Sequence, residues 1–178
     1  MNTKSRLIYI PADGDEIQGD LRIPEDSKAI VIFAHGSGSS RHSPRNQYVA
    51  GVLNDGRIAT LLIDLLTPDE EVVDLETSQL RFDIDLLAER LSVVANWLRG
   101  QSATEKFHIG YFGSSTGAAA ALVAAAKHPQ IVEAIVSRGG RPDLAGTTGQ
   151  RARSNPADCV GGNDAIVIEL LITKWRTK

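Results

Sequence analysis

The five residues Gly113-Ser114-Ser115-Thr116-Gly117 match the pattern Gly-x-Ser-x-Gly. The apolar run at 107–112 (FHIGYF) precedes them and an Ala-rich helical pattern at 115–127 follows. This strand-turn-helix context is the one in which such a serine acts as a nucleophile. The turn would place the Ser115 hydroxyl at a helix N-terminus, where developing negative charge is stabilised. The pattern predicts acyl transfer by Ser115, and its alternative is a serine-rich helix cap.

A second loop supports this chemistry. His35-Gly36-Ser37-Gly38 follows the apolar run at 29–34 (AIVIFA). In acyl-transfer enzymes of this architecture, one oxyanion donor comes from this loop and another from the residue after the nucleophile. The predicted donors are therefore the backbone amides of Ser37 and Thr116. The alternative, a nucleotide-binding loop, is disfavoured because Arg41 replaces the third glycine of the dinucleotide fingerprint and the P-loop lysine is absent.

The elements around these loops indicate an α/β fold. Continuous apolar runs typical of strands buried on both faces occur at 29–34, 59–66, 107–112 and 131–136. Helical patterns lie between them, at 48–53, at 80–98 with Thr77 or Ser78 as the cap and Gly100 as the stop, and at 115–127. An antiparallel hairpin around Asp13-Gly14 precedes them. The sequence predicts a three-layer sandwich with a mostly parallel sheet.

The segments FAHGSGSS, LLIDLL, GYFGSSTG, VSRGGRPDLAG and VGGND resemble the dienelactone hydrolase-related branch of the α/β-hydrolase fold. The resemblance covers 7–146 and 160–169. It implies a Ser, Asp, His order along the chain, with Asp164 of Gly161-Gly162-Asn163-Asp164 as the acid. Asp143 is the second choice, and Asp64 is expected to be structural. Since Ser115 replaces the family's cysteine, the resemblance implies a serine enzyme acting on esters or lactones.

Two stretches depart from this resemblance, 147–159 and 171–178. The first has the composition of a loop where a seventh buried strand is expected, and the second turns basic. We therefore expect a C-terminally truncated domain whose last strand or strands are missing. Frame shifts across about 147–159 and near 171 would explain the pattern, and a divergent, shortened family member is the alternative. An open sheet edge predicts weak stability and self-association.

The sequence contains four histidines, none of which follows Asp164. His35 is expected to support the loop, His108 to lie within a strand and His128 to lie at a helix end. His42 is the only candidate for a substitute base. Two arginines near it, Arg41 and Arg45, could bind an anionic substrate, but a solvated loop is the favoured interpretation.

Length and composition limit the remaining possibilities. The 178 residues fit one domain, 1–178, and the net charge of −3 gives no reason to expect nucleic acid. A single Cys excludes an internal disulfide and a multi-cysteine zinc site, and no metal or organic cofactor is implied. The polar N-terminus and the short apolar run at 117–126 predict a cytoplasmic protein that does not span a membrane.

The sequence thus predicts a serine-dependent hydrolase of small esters, lactones or thioesters. Loss of the catalytic histidine is expected to impair it. The competing hypothesis is a degenerate α/β-hydrolase-like domain that binds without catalysing.

Overall fold

The computed structural model describes residues 4–140 and 144–145, and the backbone of 158–161. The strands are β1 (Arg6–Ala12), β2 (Asp15–Arg22), β3 (Ala29–Ala34), β4 (Ala59–Ile63), β5 (His108–Ser114), β6 (Val132–Arg138) and β7 (Asp158–Gly161). The helices are α1 (Pro44–Asp55), α2 (Pro68–Thr77), α3 (Ile84–Arg99) and α4 (Thr116–Lys127), with a 3₁₀ turn at Leu80–Phe82.

The described strands form one sheet in the order β1-β2-β4-β3-β5-β6-β7. β1 and β2 form an antiparallel hairpin, β2 joins β4 in the antiparallel sense, and the other pairs are parallel. The predicted hairpin and mostly parallel sheet are confirmed. The predicted loss of the last strands falls on residues outside the described ranges.

Helices cover both faces of this sheet. On one face α1 packs Val49, Ala50 and Leu53 against alternate residues of β3 and against Leu62 of β4. On the other face α3 and α4 bury their apolar sides against the remaining core. The three predicted layers are therefore present. Within the described residues, none of the helices is long and apolar enough to cross a membrane.

The start of α3 differs from the prediction. The apolar stripe 80–98 suggested one helix capped by Thr77 or Ser78, but α3 begins at Ile84, and Asp83 accepts a hydrogen bond from the Leu86 amide at 3.0 Å. Thr77 instead ends α2, and Ser78 adopts a left-handed conformation with φ 54° after it. The end of α3 at Gly100 agrees with the prediction.

The helix α2 was not predicted from the sequence. Thr67 and Glu70 form a reciprocal capping box, and Pro68 occupies the first turn, so strong start signals are present. Three exposed apolar residues, Val72, Val73 and Leu75, removed the amphipathic pattern that would have indicated a helix.

The short strand β7 corrects part of the loop prediction for 147–159. Asp158 and Cys159 pair in parallel with Ala134 and Ile135 of β6. The edge of β6 offers backbone donors and acceptors to any extended segment, so this pairing depends little on side-chain propensity.

Candidate active site

The sheet register brings the two predicted loops together. β3 and β5 are parallel neighbours, with Ala34 opposite Gly113, so the residues that follow both strands emerge at the same edge. His35, Gly36 and Ser37 follow β3, and Ser115 and Thr116 follow β5. Ligand sites of α/β sheets form at this carboxyl edge.

Ser115 lies at the turn between β5 and α4, as predicted. Its backbone has φ 51° and ψ −118°, a conformation that is costly for a residue with a side chain. Its N–H donates to the Arg138 carbonyl of β6 at 3.3 Å. Its hydroxyl caps no amide of α4, and the residue is half-buried. The turn therefore holds a serine hydroxyl at the helix start without using it for structure.

The glycines of the motif are required by close backbone packing. A Cβ at Gly117 would overlap the carbonyl oxygens of Ala34 and His35. A Cβ at Gly113 would lie 2.5 Å from the Ala118 Cα. Neither position has room for a side chain. The two glycines therefore let β5, α4 and the β3 loop approach one another around Ser115.

The two predicted oxyanion donors lie side by side, but one of them is engaged. The Ser37 N–H donates a hydrogen bond to the Thr116 hydroxyl at 3.0 Å. Thr116 is the first residue of α4, where a backbone N–H has no intrahelical acceptor. The Thr116 amide is thus available, whereas the Ser37 amide points at a side chain.

His35 links the loops that follow β3 and β4. Its Nε2 accepts a hydrogen bond from the Leu65 amide at 3.2 Å, so the proton resides on Nδ1, which donates to the Gly36 carbonyl at 2.9 Å. Burial lowers the pKa of His35, which keeps the ring neutral. Both ring nitrogens are occupied, so His35 supports the loop as expected.

Two other histidines lie far from Ser115. His108 begins β5 and pairs with Glu133 at 2.7 Å, at the opposite end of the strand from the turn. His128 follows the last residue of α4. Seven strand residues span roughly 20 Å, and twelve helical residues about 18 Å. Neither ring can therefore reach the Ser115 hydroxyl.

A cavity of about 590 Å³ opens beside the turn. One wall is the loop 35–40 together with Thr116, and apolar side chains of Leu65, Leu66, Leu75 and Leu87 contribute another part of the lining. His42 is exposed and also lines this cavity. Its amide donates to the Ser40 hydroxyl at 3.2 Å. All four histidines lie in the described part of the chain, and His42 is the one that lines the cavity with both ring nitrogens uncommitted.

The structure corrects the interpretation of Arg41 as a solvated residue. Its guanidinium pairs with Asp64 and lies 3.5 Å from Asp20, and its amide donates to Asp64 at 2.8 Å. Only 14% of the side chain is exposed. Asp64 thus anchors the loop, which agrees with the structural role expected for it. Arg45 is exposed at the start of α1.

An ion pair that was not predicted from the sequence lies on the far wall of the cavity. Asp74 of α2 accepts hydrogen bonds from the Arg81 amide at 3.0 Å and from its Nε at 2.6 Å, and both residues line the cavity. Burial alone would raise the pKa of Asp74, but the hydrogen bonds from Arg81 hold it below its usual value. The capping box of Thr67 and Glu70 was the sequence signal for the helix that carries Asp74.

Asp164, the predicted acid, lies outside the described residues, as does its possible substitute Asp143. In the ranges that are described, no group of three or more His, Cys, Asp or Glu side chains could hold a metal ion.

Comparison with known proteins decides the family. A dienelactone hydrolase from Anabaena variabilis superposes with a TM-score of 0.85 at 46% identity, covering 98% of this chain and 80% of that one. The chain belongs to the dienelactone hydrolase-related family of α/β-hydrolases. Est1E from Butyrivibrio proteoclasticus, at 19% identity and a TM-score of 0.62 over 75% of this chain and 50% of that one, shares the fold. No family model matches the chain.

Two curated relatives of this chain are named after a transferase activity and not after a hydrolase activity. Two Mycobacterium tuberculosis proteins, provisionally named phosphoribosyl transferases, are 54% identical over 163 residues. The match covers 92% of this chain and 36% of theirs, so the chain spans about a third of the length of these relatives.

Proposed function

We propose that this chain is a serine-dependent hydrolase of small esters, lactones or thioesters, with Ser115 as the nucleophile. The observation that carries the proposal is the strained turn at Ser115, with φ 51° and a hydroxyl that does not cap α4. Strain of this kind costs about 1–3 kcal/mol and is retained where geometry serves function.

The proposed reaction is two acyl transfers. The Ser115 oxygen bonds to the carbonyl carbon, the C=O electron pair moves to oxygen, and the tetrahedral intermediate expels the alcohol, thiol or lactone hydroxyl. Water then releases the acid from the acyl-enzyme. We expect the Thr116 amide to donate to the negative oxygen, and the dipole of α4 favours that charge.

The weak point of this chemistry is the base. A serine hydroxyl needs a group that accepts its proton. His35 has both nitrogens engaged, and His108 and His128 lie at distant ends of β5 and α4. We therefore propose His42 as the substitute base and Asp164 as the family's acid position, and we expect slow turnover. In well-studied serine hydrolases, removal of a triad member leaves about 10³–10⁴-fold catalysis over water.

Burst kinetics with p-nitrophenyl acetate test this proposal. We expect one equivalent of p-nitrophenolate per chain, followed by slow release of acetate, and loss of the burst in Ser115→Ala. Ser114→Ala is the matched control because Ser114 is buried, and it should retain the burst. A burst that persists in Ser115→Ala contradicts the proposal.

The role of His42 needs its own variant. If His42 accepts the proton, His42→Gln should slow the burst, because a glutamine side chain cannot act as a base. An unchanged burst rate would contradict the role of His42 and leave the role of Ser115 standing.

The competing function is a non-catalytic binding domain. The absence of a hydrogen bond from any of the four imidazoles to Ser115, all within the described part of the chain, favours it. Wild-type protein that gives no burst and no acylated Ser115 would support this alternative.

The transferase name of the Mycobacterium tuberculosis relatives does not change the proposal. This name was given to longer proteins, and this chain matches only 36% of their length. The features in the matched part, a nucleophile turn and an adjacent backbone-donor loop, favour acyl transfer.

A further inference from the structure

The hydroxyl of Thr116 occupies an unexpected position. It accepts a hydrogen bond from the Ser37 N–H at 3.0 Å, across 79 residues of sequence. The residue is 2% exposed, yet it lines the cavity beside the nucleophile turn. The motif assigns a function only to the backbone amide at this position.

The direction of this hydrogen bond matters. Since the Ser37 amide is the donor, the Thr116 oxygen is the acceptor, and the hydroxyl proton remains available for a second partner. An N–H directed at Thr116 cannot at the same time point at a substrate oxygen with good geometry. In this structure the Ser37 amide therefore binds the Thr116 hydroxyl. Thr116 itself has two groups that could donate to a substrate oxygen, its N–H and its O–H.

We propose that the Thr116 hydroxyl donates a hydrogen bond to the oxyanion, and that the Ser37 amide orients and polarises this hydroxyl. The inference rests on the proposed serine chemistry of Ser115 and adds a side-chain donor to it. Hydrogen bonds in a chain strengthen one another, so a hydroxyl that accepts from an amide becomes a better donor.

The step balances without a further reactant. When the Ser115 oxygen bonds to the carbonyl carbon, the C=O pair moves onto oxygen, which then accepts from the Thr116 O–H and N–H. The Ser115 proton passes to the base. When the intermediate collapses, the C=O bond re-forms, the bond to the leaving group breaks, and the leaving oxygen or sulfur takes that proton. Thr116 keeps its proton throughout.

An opposite role for the same contact is a block. If the Thr116 hydroxyl only withholds the Ser37 amide from the substrate, its removal would free that donor and accelerate acylation. The two roles therefore predict changes of opposite sign for one substitution.

The experiment measures the rate of Ser115 acylation by p-nitrophenyl acetate, and its phosphonylation by a fluorophosphonate, in Thr116→Val and Thr116→Ser. Valine keeps the shape and the backbone N–H but removes the hydroxyl. We expect the Thr116→Val rate to fall about 100-fold, with little change in KM, because removal of one oxyanion donor costs about 10²–10³-fold. Thr116→Ser should stay within a few-fold of wild type.

Thr104→Val is the matched control for the loss of a buried threonine hydroxyl. Thr104 lies beyond the end of α3 and is also 2% exposed. Its hydroxyl donates to the Leu98 carbonyl of that helix at 2.7 Å. It should lose stability but keep the wild-type acylation rate. If Thr116→Val does not fold, Thr116→Ala removes the same hydroxyl with less bulk.

The outcomes separate the two proposals. A Thr116→Val rate equal to or above wild type in folded protein overturns the role of Thr116 as a donor, while wild-type labelling of Ser115 would still support the proposed function. Wild-type protein that is not labelled at all overturns both.

Discussion

Backbone packing positions the cavity wall that contains Thr116, next to Ser115, whereas two arginines position the opposite side. Around the turn, Gly113 and Gly117 allow the backbones of β5, α4 and the β3 loop to contact one another directly. Seven of the twelve residues of α4 are alanine, and the helix is buried from 116 to 125. The geometry of this wall thus depends on the two positions, Gly113 and Gly117, that carry no side chain.

The opposite side depends on long side chains with specific partners. Arg81 holds the 3₁₀ turn to Asp74, and Arg90 of α3 joins Glu70 and Asp13. The difference indicates that a methyl group should disrupt the first wall and that loss of a charge should loosen the second.

The largest effect is expected from Gly117→Ala. Its Cβ would overlap the Ala34 and His35 carbonyl oxygens, which belong to the backbone and cannot rotate away. We expect a loss of about 3 kcal/mol or more in the free energy of unfolding, at the upper end of overpacking costs. Urea denaturation followed by circular dichroism measures it.

Gly51→Ala is the control for this substitution. Gly51 lies in α1, and a Cβ added there would have no neighbouring atom within 4 Å. Alanine should therefore stabilise the helix by about 0.5–1 kcal/mol. Equal effects of the two substitutions would contradict the role of close backbone packing at Gly117.

A smaller loss is expected from Arg90→Met. The Arg90 side chain is 4% exposed and bonds to Glu70 at 2.6 Å and Asp13 at 2.7 Å. Removing one partner from a fully buried pair costs about 3–5 kcal/mol. Because both carboxylates are partly exposed, we expect about 1–3 kcal/mol from the same urea measurement.

Lys127→Met provides the exposed counterpart of that substitution. Its pair with Asp85, at 3.4 Å, is 43% and 87% exposed, so the change should stay within about 0.5 kcal/mol. If Arg90→Met costs no more than Lys127→Met, the ion pairs do not hold the second wall.

These two walls differ in how much the sequence could predict. Glycine spacing and a continuous apolar run are local patterns, so the turn at Ser115, the parallel strands and the neighbouring Ser37 loop followed from the residues. The Arg90 pair with Asp13 joins residues 77 positions apart, and no local pattern encodes it. The Thr116 hydroxyl contact was missed because the motif describes backbone positions and leaves the rotamer of that side chain open.

The strain at Ser115 should appear as a stability difference between two variants that lack its hydroxyl. Ser115→Gly and Ser115→Ala both remove the hydroxyl, but only glycine adopts φ 51° with ψ −118° without steric cost. We expect Ser115→Gly to be more stable than Ser115→Ala by about 1 kcal/mol. Thermal unfolding of both variants measures the difference, and a less stable glycine variant would argue against strain at the turn.

The smallest effect concerns pH. Burial lowers the pKa of His35 in the folded protein, whereas the unfolded chain takes up a proton near pH 6.5. Its stabilising contribution is therefore complete above about pH 6.5 and decreases as the pH falls below that value. The free energy of unfolding of His35→Gln should change less than that of wild type between about pH 7.5 and 5 in urea titrations.

This pH range separates His35 from the carboxylates. Asp74, whose folded pKa is lowered by Arg81, loses its contribution only as the pH falls below its unfolded value near 3.8. Identical pH slopes for wild type and His35→Gln would contradict the buried, neutral state of His35.

Site-resolved labelling tests the central claim most directly. Purified protein is treated with a fluorophosphonate, digested, and mapped by mass spectrometry, with Ser115→Ala and Ser114→Ala treated in parallel. We predict one slow phosphonylation at Ser115, retained in Ser114→Ala and lost in Ser115→Ala. Absence of the adduct, or an adduct on any other serine, would contradict Ser115 as the nucleophile.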